Sequence, residues 1–368
     1  MREPVAAPVA AAPSTLIAPV FAASVVRWQR THGRSELPWQ NTRDPYRVWL
    51  SEVMLQQTQV STVLGYFDRF LLRFPTVAEL AAAGEDEVFG LWSGLGYYSR
   101  ARNMHRCAQE VMVRFGGAFP RRSEDLESLP GIGRSTAAAI AAFCFGERVA
   151  ILDGNVKRVL TRVLGFGADL SSSASERALW GMATELLPAA SERGAIESYT
   201  QGLMDLGATV CTPRKPNCLL CPVNDICVAR REGAPEAYPV KTRKLKRSSQ
   251  SLWLLQANDE AGRSWLEKRP ARGVWAGLYC LPVFDSHAAL LEALSPSLRA
   301  IARDGAPFLH VLTHKDLHLH PVQVESDSTA AMPGEGQWLA LHEWEGLGLP
   351  APVRKLLEAR SHPTPDAA

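Results

Sequence analysis

Four cysteines lie close together in the sequence, with a spacing that is typical of a metal or cluster site. Cys211, Cys218, Cys221 and Cys227 follow the pattern C-x6-C-x2-C-x5-C. Thiols this dense usually ligate a metal ion or an iron–sulfur cluster in a reducing compartment, where disulfides do not persist. Zinc is the generic ligand of such a set, but structural zinc sites commonly pair two C-x2-C knuckles, and this chain has one. The spacing by itself leaves both zinc and an iron–sulfur cluster open.

A glycine-rich turn, LPGIG at residues 129–133, separates two stretches with helical patterns. Gly131 and Gly133 allow positive φ, so the chain can turn tightly with backbone N–H groups facing outward. A helix is predicted over residues 134–145, and exposed amides at a helix start bind anions. Because Arg134 lies beside these amides, the natural anion is a backbone phosphate.

Two carboxylates could carry acid–base chemistry. Glu52 lies in WLSEVMLQQTQV, where Ser51 is predicted to be an N-cap and to place Glu52 in the first turn of a helix. A glutamate at a helix start is more commonly a partner of the helix dipole than a catalyst. Asp153 lies in LDGN, just before a further helix that is predicted from Val156 onward.

The totals place bounds on the architecture. A chain of 368 residues with 46% hydrophobic content is long enough for two globular domains. The net charge of +2 does not by itself indicate a nucleic-acid partner. Seven cysteines are few for a secreted disulfide scaffold of this size, and no run of about 18 apolar residues predicts a membrane span.

Changes in sequence texture divide the chain into five segments. Residues 1–19 are Ala/Pro-rich and are predicted to be disordered, because prolines interrupt any signal-peptide core. Residues 20–228 alternate helical stretches with Gly/Pro breaks. Residues 229–251 form a basic linker, which is either simply solvated or in contact with DNA phosphates. Residues 252–360 mix short alternating runs with helices, as in an α+β domain, and residues 361–368 form a second disordered tail.

The order LPGIGRSTA and then ILDGNVKR resembles the helix-hairpin-helix base-excision glycosylases, and the text is close to the MutY-type adenine DNA glycosylases. The resemblance extends from about residue 21 to about residue 360. It implies an all-α helix-hairpin-helix glycosylase domain with a [4Fe-4S] loop, followed by an α+β Nudix-like domain. The cysteine spacing matches the cluster loop of this family, so the resemblance implies a [4Fe-4S] cofactor.

The resemblance also assigns the catalytic residues. Glu52 matches the family's acid and Asp153 its second carboxylate. The acid protonates the adenine, at N7, and the anion stabilises an oxocarbenium-like sugar. Glu52 then needs a raised pKa, which apolar neighbours would supply, whereas Asp153 must stay ionised and either stabilises charge or forms a covalent adduct. Asn155 is expected to orient Asp153 or the water. Ser135 stands where bifunctional relatives carry a lysine nucleophile, so the resemblance implies a monofunctional enzyme. Some MutY relatives carry a tyrosine there, so what supports Asp153 from that side is open.

Further residues are expected to contact DNA. Gln57 matches the residue that inserts into the duplex, and Tyr97 the aromatic that stacks beside the opposing base. Gln201 matches a residue that hydrogen-bonds the flipped adenine, and Trp39 one near the pocket wall. The remaining predicted DNA contacts lie in the glycine turn and the cluster loop: Gly131, Gly133, Arg134, Arg214 and Lys215.

The C-terminal segment lacks the Glu-rich box of Nudix hydrolases, so no second hydrolase is predicted. The resemblance implies that it recognises 8-oxoguanine opposite the adenine, through Thr313 and His314. The family's loop typically reads Phe-Ser-His, and the loss of the ring at Leu312 puts the strength of lesion discrimination in doubt. Several histidines between 310 and 320 could suggest a metal, but their alternation more simply predicts one strand face.

The expected protein is therefore a monomeric enzyme of the cytoplasm, associated with the nucleoid, that acts on duplex DNA containing A:8-oxoguanine or A:G mispairs. One rival is a bifunctional lyase of the endonuclease III type, against which Ser135 argues. The other is a DNA-binding or redox-signalling protein without catalysis, against which the intact Glu52 and Asp153 argue.

Overall fold

The computed structural model describes residues 17–242 and 246–361. Most of the two predicted tails, and part of the basic linker, lie outside the described residues. Helix α1 begins at Ile17, inside the predicted N-terminal tail, and the last helix ends at Ser361, inside the predicted C-terminal one. The chain divides into two compact units, Met1–Gln57 with Gln109–Lys244, and Thr58–Ala108 with Leu245–Ala368.

In the described chain, every regular element before residue 248 is helical, which confirms the predicted all-α segment. Short 3-10 turns lie between the cysteines, at Cys218–Leu220 and Asn224–Ile226. The α-helices of this part are α1 (Ile17–His32), α2 (Pro45–Leu55), α3 (Val60–Arg73), α4 (Val77–Ala82), α5 (Glu85–Trp92), α6 (Tyr98–Phe115), α7 (Ser123–Glu127), α8 (Arg134–Phe145), α9 (Gly154–Leu164), α10 (Ser173–Glu185), α11 (Ala195–Thr209) and α12 (Val228–Arg231).

Helix α8 is central to the first unit because its side chains are small. Residues 137–142, five alanines and one isoleucine, are all buried, and the helix packs against α2, α7 and α11. Helix α9 instead buries one face, formed by Val156, Val159, Leu160 and Val163. These four residues have the i, i+3, i+4, i+7 spacing of an amphipathic helix. The two helices thereby fix the loop between them, which carries the aspartate of the predicted site.

A mixed sheet of eight strands forms the core of the second unit. Strand β1 begins at Ser248, inside the predicted linker, and runs parallel to β7 from the pair Ser248–Lys315 to the pair Asp259–Ser326. The strands are β1 (Ser248–Asp259), β2 (Ser264–Lys268), β3 (Tyr279–Cys280), β4 (Val283–Phe284), β5 (Arg303–Asp304), β6 (Phe308–Val311), β7 (Lys315–Ser326) and β8 (Gly336–Leu339). The accompanying helices are α13 (His287–Ala293), α14 (Pro296–Ile301), α15 (Leu341–Trp344) and α16 (Ala351–Ser361).

The second unit also contains the helical residues Thr58–Ala108, a grouping that the sequence patterns did not indicate. Two side chains near the start of α6 make hydrogen bonds that join these helical residues to the C-terminal part of the unit. The Tyr98 hydroxyl donates to the backbone oxygen of Leu349 over 3.1 Å, and Arg102 Nη2 donates to the backbone oxygen of Ala276 over 2.6 Å. These partners are more than 170 positions apart in the chain, so no local pattern could reveal them. No helix among the described residues is both long and apolar enough to cross a membrane.

Gly165, which ends helix α9, offers a test of this packing. Its φ is +64°, and a Cβ placed there would lie 2.5 Å from Val228 Cγ1. We expect Gly165→Ala to lower the free energy of unfolding by about 1–2 kcal/mol, because a left-handed conformation is unfavourable for alanine and the methyl group must displace Val228. The measurement is the midpoint of denaturant unfolding.

The matched control is Gly167→Ala. Gly167 is not among the glycines with positive φ, and no atom lies within 4 Å of an added Cβ. Its effect should stay within about 0.5 kcal/mol. Equal destabilisation by the two substitutions would contradict this account of the helix end.

Candidate active site and cluster loop

Asp153 lies at the N-terminal end of helix α9, where it is the N-cap. Its Oδ1 accepts a hydrogen bond from the Val156 backbone N–H over 2.7 Å. The preceding residue is fixed as well, since Leu152 N–H donates to Ser135 Oγ over 3.1 Å. Ser135, which stands where bifunctional relatives carry a lysine, therefore supports the backbone beside Asp153 because its hydroxyl oxygen accepts this hydrogen bond. A helix N-terminus carries partial positive charge, which favours the ionised form of Asp153.

Glu52 lies in the last turn of helix α2 and not in the first turn, so the prediction of an N-cap at Ser51 was wrong. The helix begins at Pro45, and its N-cap is Asp44, whose carboxylate accepts from Tyr46 N–H over 2.9 Å. Ser51 is buried and donates to the Val48 backbone oxygen over 2.8 Å. The Asp-Pro pair was the helix-start signal that the sequence reasoning missed. At a helix C-terminus the partial negative charge disfavours a carboxylate.

The structure brings the two carboxyl groups close enough to interact. Burial, and to a smaller extent the negative charge of Asp153, raise the pKa of Glu52 to about 8. The Glu52 residue is only partly buried, so solvent still reaches part of it. Burial also raises the pKa of Asp153, but the amides of Val156 and Asn155 and then the charges of Arg158 and Lys157 oppose that rise. With a pKa of about 8, Glu52 holds a proton near neutrality.

Asn155 follows Asp153 by two residues, and its side chain is directed to an arginine. Arg158 Nη2 donates to Asn155 Oδ1 and to the Gly207 backbone oxygen, each over 2.7 Å, while its Nε donates to the Cys211 backbone oxygen over 2.7 Å. Gly207 must be a glycine because an added Cβ would lie 2.6 Å from Asn155 Cβ. One arginine therefore ties the start of α9 to the end of α11 and to the first cysteine.

Gln201, on helix α11, is oriented by a buried carboxylate that the sequence reasoning did not single out. Its Nε2 donates to Asp205 Oδ1 over 3.0 Å, and Asp205, which is fully buried, also accepts from Arg34 Nε over 2.7 Å. Because one N–H of the amide is bound to Asp205, the Gln201 carbonyl oxygen points away from that carboxylate and can accept a hydrogen bond from a ligand. Trp39 is buried, at 8% exposure, as a pocket-wall residue would be. An aspartate between Leu203 and Leu206 on the apolar face was the available signal.

The residues predicted to enter the duplex have unusual backbone conformations. Gln57 has φ +58° and Tyr97 has φ +48°, and both are exposed. Helix α2 ends at Leu55, so Gln57 lies in the connection to α3. Non-glycine residues with positive φ are uncommon and cluster at functional sites. Tyr97 Oη lies 2.7 Å from Thr313 Oγ1, and Thr313 and His314 are exposed at the tip of the β6–β7 hairpin.

The glycine turn is present, with one correction. Gly131 has φ +76° as predicted, but Gly133 has φ −86°, because it is the N-cap of helix α8 in an extended conformation. Arg134 is exposed, and its guanidinium lies 4.0 Å from the centre of the Trp180 ring, which holds it at the helix start.

The four cysteines line one cavity. All are free thiols, and Arg162 Nη1 lies 3.3 Å from Cys211 Sγ. In the described part of the chain, no three His, Cys, Asp or Glu side chains are grouped to hold a single metal ion. The thiolates of a four-iron cluster bind different irons and need not converge on one point, so this arrangement fits a cluster better than zinc. Arg214 and Lys215 are exposed on the loop, and Lys215 has φ +46°.

Comparison with known proteins agrees with this geometry. Residues 50–185 match the HhH-GPD superfamily of base excision DNA repair proteins, residues 211–227 the iron-sulfur binding domain of endonuclease III, and residues 252–359 a NUDIX domain. An adenine DNA glycosylase of Buchnera aphidicola subsp. Acyrthosiphon pisum (strain APS) is 36% identical, over 92% of this chain and 97% of the relative. The chain belongs to the adenine DNA glycosylase family. The human adenine DNA glycosylase is 45% identical over 57% of this chain and 39% of its own length.

Two solved structures share the helical fold. A thermostable thymine-DNA glycosylase has a TM-score of 0.51 and 29% identity, covering 58% of this chain and 96% of that one. Endonuclease III in a non-covalent DNA complex has a TM-score of 0.50 and 21% identity, covering 60% and 98%, which shows the fold alone. The predicted family, the helical and Nudix-like fold, the glycosylase activity and the [4Fe-4S] cofactor are confirmed. As a member of this family, the chain hydrolyses N-glycosyl bonds to adenine in base excision repair.

The raised pKa of Glu52 makes Glu52→Gln informative for both activity and stability. We expect the variant to release no adenine while it still binds duplex DNA, because glutamine cannot donate the proton. The unfolded chain ionises Glu52 above pH 4.5, whereas the folded chain does so only near pH 8. Wild-type stability therefore falls as pH rises from 4.5 to 8, and at pH 8 the variant should be about 1–3 kcal/mol more stable to denaturant.

The pH dependence of the wild-type rate of adenine release provides a second test of Glu52 as the acid. Single-turnover adenine release should be flat below the Glu52 pKa of about 8 and fall above it, because the acid form is lost. Glu185→Gln changes an exposed glutamate at the end of α10 and should leave this profile in place. Residual turnover by Glu52→Gln, or a rate that rises through pH 8, would show that the acid is misassigned.

The cavity also predicts the effect of losing a cluster ligand. We expect Cys218→Ala to lose most of its iron and visible absorption and to unfold at lower denaturant concentration, because ligand binding contributes folding free energy. Cys144→Ala, which changes a thiol that does not line the cavity, should keep its iron. Equal iron content in the two variants would remove Cys218 from the ligand set.

Proposed function

We propose that this enzyme removes adenine that lies opposite 8-oxoguanine, or opposite guanine, in duplex DNA. The observation that carries the proposal is the approach of two carboxyl groups, Glu52 and Asp153, in one site of the first unit, where burial and the charge of Asp153 raise the pKa of Glu52 to about 8. Such a pair fits an N-glycosidic bond, whose cleavage needs a proton on the leaving base and an anion near the sugar. A binding protein without chemistry would have no use for a buried acid with a pKa near 8.

In this mechanism Glu52 protonates the adenine at N7, and Asp153 stabilises the oxocarbenium-like sugar. The division of labour parallels that of the two carboxylates of O-glycosidases. Asn155, held by Arg158, orients the attacking water beside Asp153. The cluster, when bound, supplies a folded loop and takes no part in base removal, so the chemistry rests on side chains of the chain itself.

The adenine must leave the base stack before Glu52 can reach it. We assign insertion into the duplex to Gln57 and stacking beside the opposing base to Tyr97. Trp39 forms a wall of the pocket, and Gln201 accepts a hydrogen bond from the amino group of adenine through its free carbonyl oxygen. The proposed phosphate contacts are made by the glycine turn and the cluster loop, through Gly131, Gly133, Arg134, Arg214 and Lys215.

Strand cleavage is not part of the proposed reaction, because no amine occupies the position of a lyase nucleophile. Ser135 Oγ instead accepts the Leu152 N–H. Lys157, one turn into α9, is paired with Glu176 on α10. A hydroxyl and an ion-paired ammonium are both poor nucleophiles toward a sugar aldehyde.

The second unit is proposed to read the opposing base through Thr313 and His314, and Leu312 replaces the aromatic ring of the family's usual loop. We further propose that the enzyme acts as a monomer in the cytoplasm at the nucleoid. The domain division at residues 20–228, 229–251 and 252–360 belongs to the same proposal.

The deciding experiment measures single-turnover adenine release from duplexes with 8-oxoguanine, guanine, cytosine or thymine opposite the adenine. We expect the rate opposite 8-oxoguanine to exceed that opposite guanine by about tenfold, since one additional hydrogen bond is worth about that factor. Strand breaks should appear only after alkali treatment.

Two results would count against the proposal. Equal rates for every opposing base would remove lesion recognition from the function. Strand breaks without alkali would favour the bifunctional lyase. Another side chain would then have to act as the nucleophile, although Ser135 replaces the usual lysine.

A further inference from the structure

The segment that leads into strand β1 holds the tip of the β6–β7 hairpin through one arginine. Arg247 Nη2 donates to the Leu312 backbone oxygen over 2.9 Å, and Nη1 donates to the Thr313 backbone oxygen over 3.1 Å. The same guanidinium is paired with the Asp316 carboxylate, at the start of β7. A single side chain therefore binds two carbonyls and one carboxylate of a hairpin to which it does not belong.

The neighbouring residue completes this contact. The Ser248 backbone N–H donates to the His314 backbone oxygen over 3.1 Å, and within the tip Leu312 N–H donates to the Lys315 backbone oxygen over 2.8 Å. All three carbonyls at positions 312–314 are thus bound by two consecutive residues, 247 and 248. A surface hairpin tip normally exchanges such bonds with water and opens at little cost in free energy. Here the backbone of the tip is fixed from outside the hairpin.

The Thr313 side chain is held on a second side. Its hydroxyl lies 2.7 Å from Tyr97 Oη, and the Tyr97 ring lies beneath the Arg100 guanidinium at 5.5 Å. Leu312 packs against the apolar core of the sheet. The Thr313 hydroxyl is consequently directed toward Tyr97, while His314 remains exposed.

We propose that Arg247 is a positioning residue that holds Thr313 in the conformation which reads the base opposite the adenine. The inference rests on the proposed lesion recognition by the hairpin. An arginine suits the task because its planar fork satisfies several acceptors at once in a fixed geometry, which the single ammonium of lysine does not. The basic segment before β1 thereby has a specific role in addition to its charge.

The test compares Arg247→Ala with the wild-type holoenzyme. Without the guanidinium the hairpin tip samples other conformations, so adenine release opposite 8-oxoguanine should fall about five- to tenfold. Release opposite guanine should stay within about twofold, because this substrate does not depend on the lesion contact. Arg247→Lys should recover part of the loss. Rates that fall equally on both substrates would indicate a general structural role and overturn the proposal, as would rates that do not change.

The matched control is Arg263→Ala. Arg263 also pairs with a carboxylate of β1, with Nε 2.7 Å from Asp259 Oδ2, but this pair lies at the opposite end of the strand from Ser248, which binds the hairpin tip. It should leave the ratio of the two rates unchanged. If Arg247→Ala does not fold, Asp316→Asn tests the same contact, because Asp316 is the ion-pair partner of Arg247. It should lower the ratio of the rate opposite 8-oxoguanine to the rate opposite guanine by a smaller factor.

Deuterium uptake at the hairpin tip separates this inference from the proposed function. If the wild type shows no preference for 8-oxoguanine, lesion recognition fails as a function. Faster exchange of the Leu312 amide in Arg247→Ala would then still support the proposal that Arg247 holds the hairpin tip. Unchanged exchange in that variant would overturn this role of Arg247, whatever the substrate preference.

Discussion

The active site depends on the opposite electrostatic ends of two helices. Glu52 lies in the last turn of α2, where the backbone carbonyls disfavour a carboxylate, and Asp153 caps the first turn of α9, where the amides favour one. Burial would raise both pKa values by itself. The two helix ends act on this common effect in opposite directions, against a negative charge at Glu52 and in favour of one at Asp153. This contrast suits the two different roles that we propose for the pair in glycosidic cleavage.

Helix α9 connects that site to the cluster loop. Its first residues surround Asp153, and arginines on two later turns reach the cysteine segment: Arg158 binds the Cys211 backbone oxygen, and Arg162 binds the backbone oxygens of Thr212 and Pro213. Arg162 is almost fully buried, at 2% exposure. Buried charges are stable only when their donors are satisfied, so the fold of the loop and the position of the helix depend on each other.

Local patterns were sufficient for much of this architecture. The bounds of α8, the left-handed Gly131 and the clustering of four thiols follow from residue types a few positions apart. Glu52 was placed at the wrong end of its helix because Ser51 was read as the cap and the Asp44-Pro45 start was overlooked. The Arg34–Asp205 pair and the approach of Gly207 to Asn155 join segments that are distant in sequence. No periodicity encodes such contacts, since they arise only when the helices pack.

Three residues with proposed DNA contacts, Gln57, Tyr97 and Lys215, adopt left-handed backbone conformations without being glycine. Each conformation costs about 1 kcal/mol that a glycine would not lose. A laboratory selection for heat tolerance alone would therefore reward glycine at these positions and discard the side chains that reach the nucleic acid. Selection for DNA repair would instead keep these side chains. At these three positions, thermal stability and the proposed engagement of the duplex therefore favour different residues.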